Sequence, residues 1–294
     1  MSLPFQLLLI PFLTTVAKAQ STCPDPGDIV YSPFKPWFQF DYGPLEGDCW
    51  SAAICTLDQA DAARNQQFAA AALVMGLLPL VLRDIAWPDR RVVLVSKPLP
   101  ALVEVIVRAL GLEPMIKGNV AGWTEEESQR WVDWVRSSPV AGAGLRSRSR
   151  MMVLVAVNLC VLLGSYAALV LVEIYSKRSA LGCVYPVIAL TWCLIAVIPG
   201  AIHVLFEKFR QRNVKEGMGA ATRASAVQGA DEAWPVQFAW AVYYIIGSLV
   251  YTSIMAITPL ELFVWVVIMS VVTGASKLLA LYICLMLRNP ALDV

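Results

Sequence analysis

At 294 residues, 58% hydrophobic and only 15% charged, the chain is too apolar for a water-soluble domain of its size. Its mean hydropathy of +0.62 is concentrated in long uncharged blocks, which points to an all-α, polytopic transmembrane helical bundle. A net charge of +1 with one short basic run gives no reason to expect nucleic acid, and a single histidine excludes a histidine-rich metal site.

Residues 1–19 read as a signal peptide. Phe5 to Val16 is mostly apolar, and Ala17-Lys18-Ala19 places small residues before a cut at Gln20. A retained short anchor is the alternative, but Pro4 and Pro11 interrupt the run. Residues 20–66 form an outer (lumenal or extracellular) segment with seven acidic and two basic residues. Its second half, from Trp50 to Gln67, is expected to run as a helix into the first span. Cys23, Cys49 and Cys55 lie here, and Cys183 falls at the outer end of the third span. Four cysteines in an oxidising space allow three pairings. Cys49 with Cys55 and Cys23 with Cys183 is the expected set, with free thiols as the alternative.

The first span covers residues 67–87, kinked at Pro79 and ended by Arg83 and Asp84. Residues 88–150 then lie inside. Within them Pro100 to Leu112 is apolar but carries Glu104 and Arg108, an i,i+4 charge pair, and its 13 residues are too few to cross. An amphipathic surface helix or a re-entrant one fits. Thr124 and Glu127 read as a capping box opening a helix through Arg136. That helix, Trp123–Arg136, is the candidate contact for a membrane-protein partner, with the inner leaflet or its own bundle as the plainer alternative.

The alternating run Arg146-Ser147-Arg148-Ser149-Arg150 marks the inner side of a second span, 151–175. A third covers 183–206 and should bend at Pro199-Gly200. After an inner loop, 207–234, come a fourth span, 235–257, and a fifth, 260–287, separated by a tight outer turn at Thr258-Pro259. Residues 288–294 form an inner tail. About five spans after a cleaved signal place the N-terminus outside and the C-terminus in the cytoplasm, in the plasma membrane or the secretory pathway.

Few groups inside the spans can do chemistry. Lys277 lies roughly 16 Å from the inner end of the fifth span and Asn158 about 10 Å from that of the second, near enough in depth for the two to meet. With His203 they form the candidate ligand-binding set. A snorkelling lysine and an interhelical hydrogen bond are the alternative. Glu173 and Glu261 both fall near the outer surface and form a carboxylate pair only if their helices are neighbours. Trp240, Tyr244, Gly247 and Tyr251 share a helical face, which reads as packing. No phosphate loop, His-Glu-x-x-His or Gly-x-Ser-x-Gly occurs, so no catalytic residue, cofactor or metal is expected.

The order of Met75-Gly76-Leu77-Leu78-Pro79, the apolar Leu99–Leu112 stretch, Asn158 and His203 resembles a group of uncharacterised fungal multi-pass integral membrane proteins. That resemblance implies the same architecture and no activity. Three functional expectations remain. The first is a non-enzymatic membrane protein acting through a partner or as a sensor or accessory subunit. The second is a small transporter or lipid-ligand binder with a polar pocket near Asn158 and Lys277. The third is an integral membrane enzyme of terpene-cyclase type, with Glu173 and Glu261 as acids.

Overall fold

The computed structural model describes residues 33–34, 54, 57–82, 92–95, 97–116, 122–139, 147–176, 178–179, 185, 187–215 and 233–288. These residues are mostly helical. Three helices are long and apolar enough to cross a membrane: Arg148–Ser176, Ile188–Phe209 and Pro259–Leu287. The expected signal, residues 1–19, and Cys23, Cys49, Cys55 and Cys183 lie outside the described residues.

Helix α1 is Ala62–Leu80. Asp61 is extended and its Oδ1 accepts the Arg64 N–H at 2.6 Å, capping the helix. The helix expected from Trp50 to Gln67 is therefore interrupted at Ala60-Asp61, where Asp61 caps a new helix start. Pro79 falls in the last turn of α1, and the chain leaves the helix with the Val81 N–H shared between the Leu77 and Leu78 carbonyls.

The all-α expectation misses a small β-α-β unit within residues 92–116. Strand β1, Val92–Val95, pairs in parallel with β2, Glu113–Ile116, with Val92 opposite Glu113 and Val95 opposite Ile116. A buried Val-Val-Leu-Val run is too short for a helix and suits a strand. Between the strands lies α2, Ala101–Ala109. Gly111 closes it at φ +94°, giving Gly111 N–H to Arg108 O at 3.0 Å and Leu112 N–H to Val107 O at 3.1 Å. These are the two bonds of a glycine C-cap, and Val107 and Leu112 complete it by packing in one apolar cluster.

Helix α3 is Gly122–Ser137. Thr124 is thus its third residue rather than its cap, and the expected capping box does not mark its start. Helix α4, Arg148–Ser176, follows the basic run. The third span is broken into α5, Ile188–Ile195, and α6, Val197–Lys215. The break falls at Ala196, before Pro199-Gly200, because the proline ring clashes with the carbonyl four residues earlier, Ile195.

Helix α7, Trp234–Thr252, ends five residues short of the expected Ile257. The link to α8, Pro259–Arg288, is not the expected tight turn but includes strand β4, Ile254–Met255. That strand pairs antiparallel with β3, Arg178–Ser179, at the end of α4.

Two large apolar cores dominate the described residues. One joins Met75 and Leu78 of α1, Trp192 of α5, Trp240 and Tyr251 of α7 and Trp265 of α8. Its aromatics interlock, with Trp192 stacked on Tyr243 at 4.8 Å and edge-on to Tyr251 at 5.6 Å. The second core welds Val93 and Val95 of β1, Val107 of α2 and Val132 and Val135 of α3 to Met151 of α4 and Leu281 of α8. The start of α4 and the end of α8 therefore share one end of the bundle with the β-α-β unit.

Candidate functional site: an arginine among three carboxylates

Helix α2 is amphipathic with its charges inward. Leu102 is 73% exposed, whereas Arg108 is 1% exposed. Gly200 explains how α2 comes so close to α6: a Cβ there would sit 3.2 Å from the Val105 carbonyl oxygen and 3.5 Å from the Ala109 nitrogen. With no side chain at that crossing, Arg108 reaches the face of α6 that carries His203 and Glu207.

The guanidinium has five N–H donors and no acceptor. Nε and Nη2 meet Glu104 Oε1 at 3.4 and 3.1 Å, the expected i,i+4 pair, here buried. Nη2 also donates to Glu207 Oε2. Nη1 contacts His203 Nε2 at 2.7 Å and lies 3.5 Å from Glu113 Oε1. Glu113 is the first residue of β2, so both strand and helix of the unit contribute. On the far side of His203, the Trp240 indole N–H of α7 points at Nδ1 from 3.4 Å. One histidine thus links α2, α6 and α7.

Three carboxylates surround one guanidinium, so the cluster holds more acid than base. Burial pushes the Glu104 carboxyl above its ordinary range; Arg108 opposes this and the Glu207 carboxylate adds to it. Burial works against the Arg108 charge, but Glu113, Glu207 and Glu104 outweigh it and raise its pKa. An isolated buried guanidinium would be very unfavourable; this one is held charged by its ring of carboxylates.

The structure separates the sequence-selected residues. His203 belongs to the cluster and is fully buried. Asn158 does not; its Nδ2 donates to the Ala275 carbonyl at 3.0 Å, tying α4 to α8. Lys277 is buried on α8, its Cε 3.7 Å from the point where a Gly111 Cβ would stand. It therefore lies against the turn that ends α2.

Glu173 and Glu261 sit on the neighbouring helices α4 and α8, both fully buried, and both accept backbone N–H groups. Glu173 takes those of Ala189 at 2.8 Å and Leu190 at 3.4 Å, capping α5 from another helix. Glu261 takes the Thr258 N–H at 2.6 Å and the Phe34 N–H at 2.7 Å. Thr258 Oγ1 lies 3.4 Å from the Glu261 N–H, so Thr-Pro-Leu-Glu closes a reciprocal capping box at the start of α8.

The Glu104–Arg108 pair and His203 stand out in the sequence, whereas Glu113 and Glu207 do not. A signal was present for Glu207, which stands four residues after His203 on one helical face. Comparison with models of known protein families, with curated proteins and with solved structures finds no match.

Proposed function

We propose that this chain is a five-span membrane protein that acts as a sensor or accessory subunit through a partner. In this reading α1 and α7, each of 19 residues, are the two further spans. Leu73 and Leu77 of α1 and Phe238, Ile245 and Leu249 of α7 are each more than half exposed, and hydrocarbon is the surround that suits such faces. Helix α2 re-enters the bilayer, since it crosses α6 nine residues before Phe209, roughly 13–14 Å along the helix. Arg148 and Arg150, Lys208 and Arg288 flank helix ends on the inner side, with the N-terminus outside.

The observation that carries the sensor reading is the buried Arg108 cluster. Its contacts with Glu207 and His203 hold α2 on α6, so a change of charge within the cluster alters how the two helices are held together. Helix α3 conveys that change outward, because Val132 and Val135 pack against β1 while Trp134 is 62% exposed beside Glu126, Arg130 and Asp133. An exposed tryptophan among charges suits a protein partner.

Mild crosslinking in intact membranes, followed by purification through a C-terminal tag, tests this. The expected result is a stoichiometric partner that is lost on removing Trp123–Arg136 and altered by Arg108→Met. A clean monomer or homo-oligomer sinks the reading. One observation favours a small transporter as the second reading: the break at Ala196 beside a re-entrant helix is the kind of discontinuity that substrate sites use. On that reading Lys277→Leu abolishes uptake and leaves abundance unchanged.

A further inference from the structure

We infer that the first turn of α4 selects lipids with a net negative headgroup and holds one against Arg148 and Arg150. Both arginines are exposed where α4 begins. At helical spacing Arg150 stands in line with Val153 and Val157, and Arg148 with Met152 and Leu159, all of them exposed. The arginines therefore crown the face of α4 that meets hydrocarbon, not the face that packs on α8. Side chains on a helix lean toward its N-terminus, which here carries both guanidinium groups out of the apolar layer to the level of the headgroups. Lys208 repeats the arrangement on α6, exposed and in line with the exposed Leu205 and Ile198.

The acids of this end face elsewhere. Glu104, Glu113 and Glu207 turn inward on Arg108. On α3 the exposed Glu126 and Asp133 alternate with the exposed Arg130 and Arg136, and Asp133 lies 3.8 Å from Arg136, so these four add no net negative charge. By gathering three carboxylates around itself, Arg108 leaves cations as the charge that the lipid meets. Guanidinium groups pair with phosphate oxygens through two parallel N–H donors. A choline headgroup brings its own cation to oppose that pairing, whereas an anionic headgroup does not. Each basic residue near the surface favours the anionic lipid by about fivefold. This inference rests on the membrane-spanning reading and not on the sensor reading.

The test is photolabelling of the full chain in phosphatidylcholine vesicles that carry a trace of a lipid with a diazirine near the carbonyl end of one chain. The probe is used once with a phosphatidylglycerol headgroup and once with a phosphatidylcholine headgroup. Val153 reports on the arginines; the exposed Phe238, one turn into α7, is the reference, since that turn holds no basic residue. Relative to Phe238, the anionic probe should label Val153 at least about fivefold more than the zwitterionic one. Arg148→Gln with Arg150→Gln should abolish that preference and leave zwitterionic labelling unchanged at both positions. Arg148→Lys with Arg150→Lys should keep it, since charge carries it. Equal labelling of Val153 by the two probes overturns the inference, as does a preference that survives the glutamine pair or is lost in the lysine pair. No label at either position with either probe removes the membrane-spanning reading and this inference with it.

Discussion

Arg108 donates from Nη1 to Nε2 of His203 at 2.7 Å, joining residues 95 positions apart in the chain. Arginine cannot accept, so Nε2 is unprotonated in this contact and the neutral ring carries its proton on Nδ1. The Trp240 indole is also only a donor, and it faces Nδ1 at 3.4 Å. One neutral ring cannot accept from both. The shorter, charge-assisted contact decides the tautomer.

Removing the arginine leaves three carboxylates without their counter-charge. Arg108→Met should therefore lower the stability of the folded chain by about 3–5 kcal/mol, the usual cost of breaking a buried ion pair from one side. Arg108→Lys should recover only part, because an ammonium cannot present a planar fork to Glu104, Glu207 and His203 together. Adding Glu207→Gln to Arg108→Met should restore some of the loss. Unfolding in detergent micelles across the four proteins of that cycle measures the coupling.

The raised Glu104 carboxyl sets a pH dependence. Its pKa in the folded chain lies above the unfolded value, so between the two the folded state binds more protons. Unfolding free energy must then fall as pH rises through that window. The contribution is fully present below the unfolded carboxylate range and is lost above the raised folded value. Glu104→Gln should flatten the slope in that window alone, as measured by unfolding midpoints against pH.

The helices were readable in the sequence because long apolar runs leave little choice in a bilayer, and their ends were less so. Pro199 placed a bend correctly in kind but not in position, since a proline disrupts the turn before it rather than its own. The strands were missed because Val92–Val95 is only a short apolar run, and its partner, Glu113–Ile116, carries a proline and a charge. The site was half legible. Glu104 and Arg108 are local in sequence, whereas Glu113, His203 and Glu207 join them only through the crossing at Gly200. Glu173 and Glu261 could be picked out by type and depth, but the backbone N–H groups they accept from come from elsewhere in the chain and could not.

Close approach at Gly247 sets a third expectation. A Cβ there would lie 2.5 Å from the Trp192 ring, against which α7 packs. Gly247→Ala should cost about 1–3 kcal/mol through overpacking, with the aromatic core displaced. Gly164→Ala is the internal control, because nothing stands within 4 Å of a Cβ at that position. Thermal unfolding of the two variants side by side should separate them clearly, and near-ultraviolet circular dichroism should change only for Gly247→Ala.

Asn158 offers the sharpest separation of packing from ligand binding. Its amide donates to the Ala275 carbonyl across α4 and α8. Hydrogen bonds between helices in a bilayer contribute about 0.6 kcal/mol on average and about 1.7 at most, so Asn158→Leu should cost an amount in that range. Lys277 lies against Gly111 instead, and the two side chains serve different contacts. Their effects on stability should therefore add to within about 0.3–0.5 kcal/mol in Asn158→Leu with Lys277→Met. Because Asn158 bonds to Ala275, two residues from Lys277 on α8, a larger coupling means that the two act on each other, through that turn or through a shared ligand. Unfolding of the four proteins in bicelles decides between these outcomes.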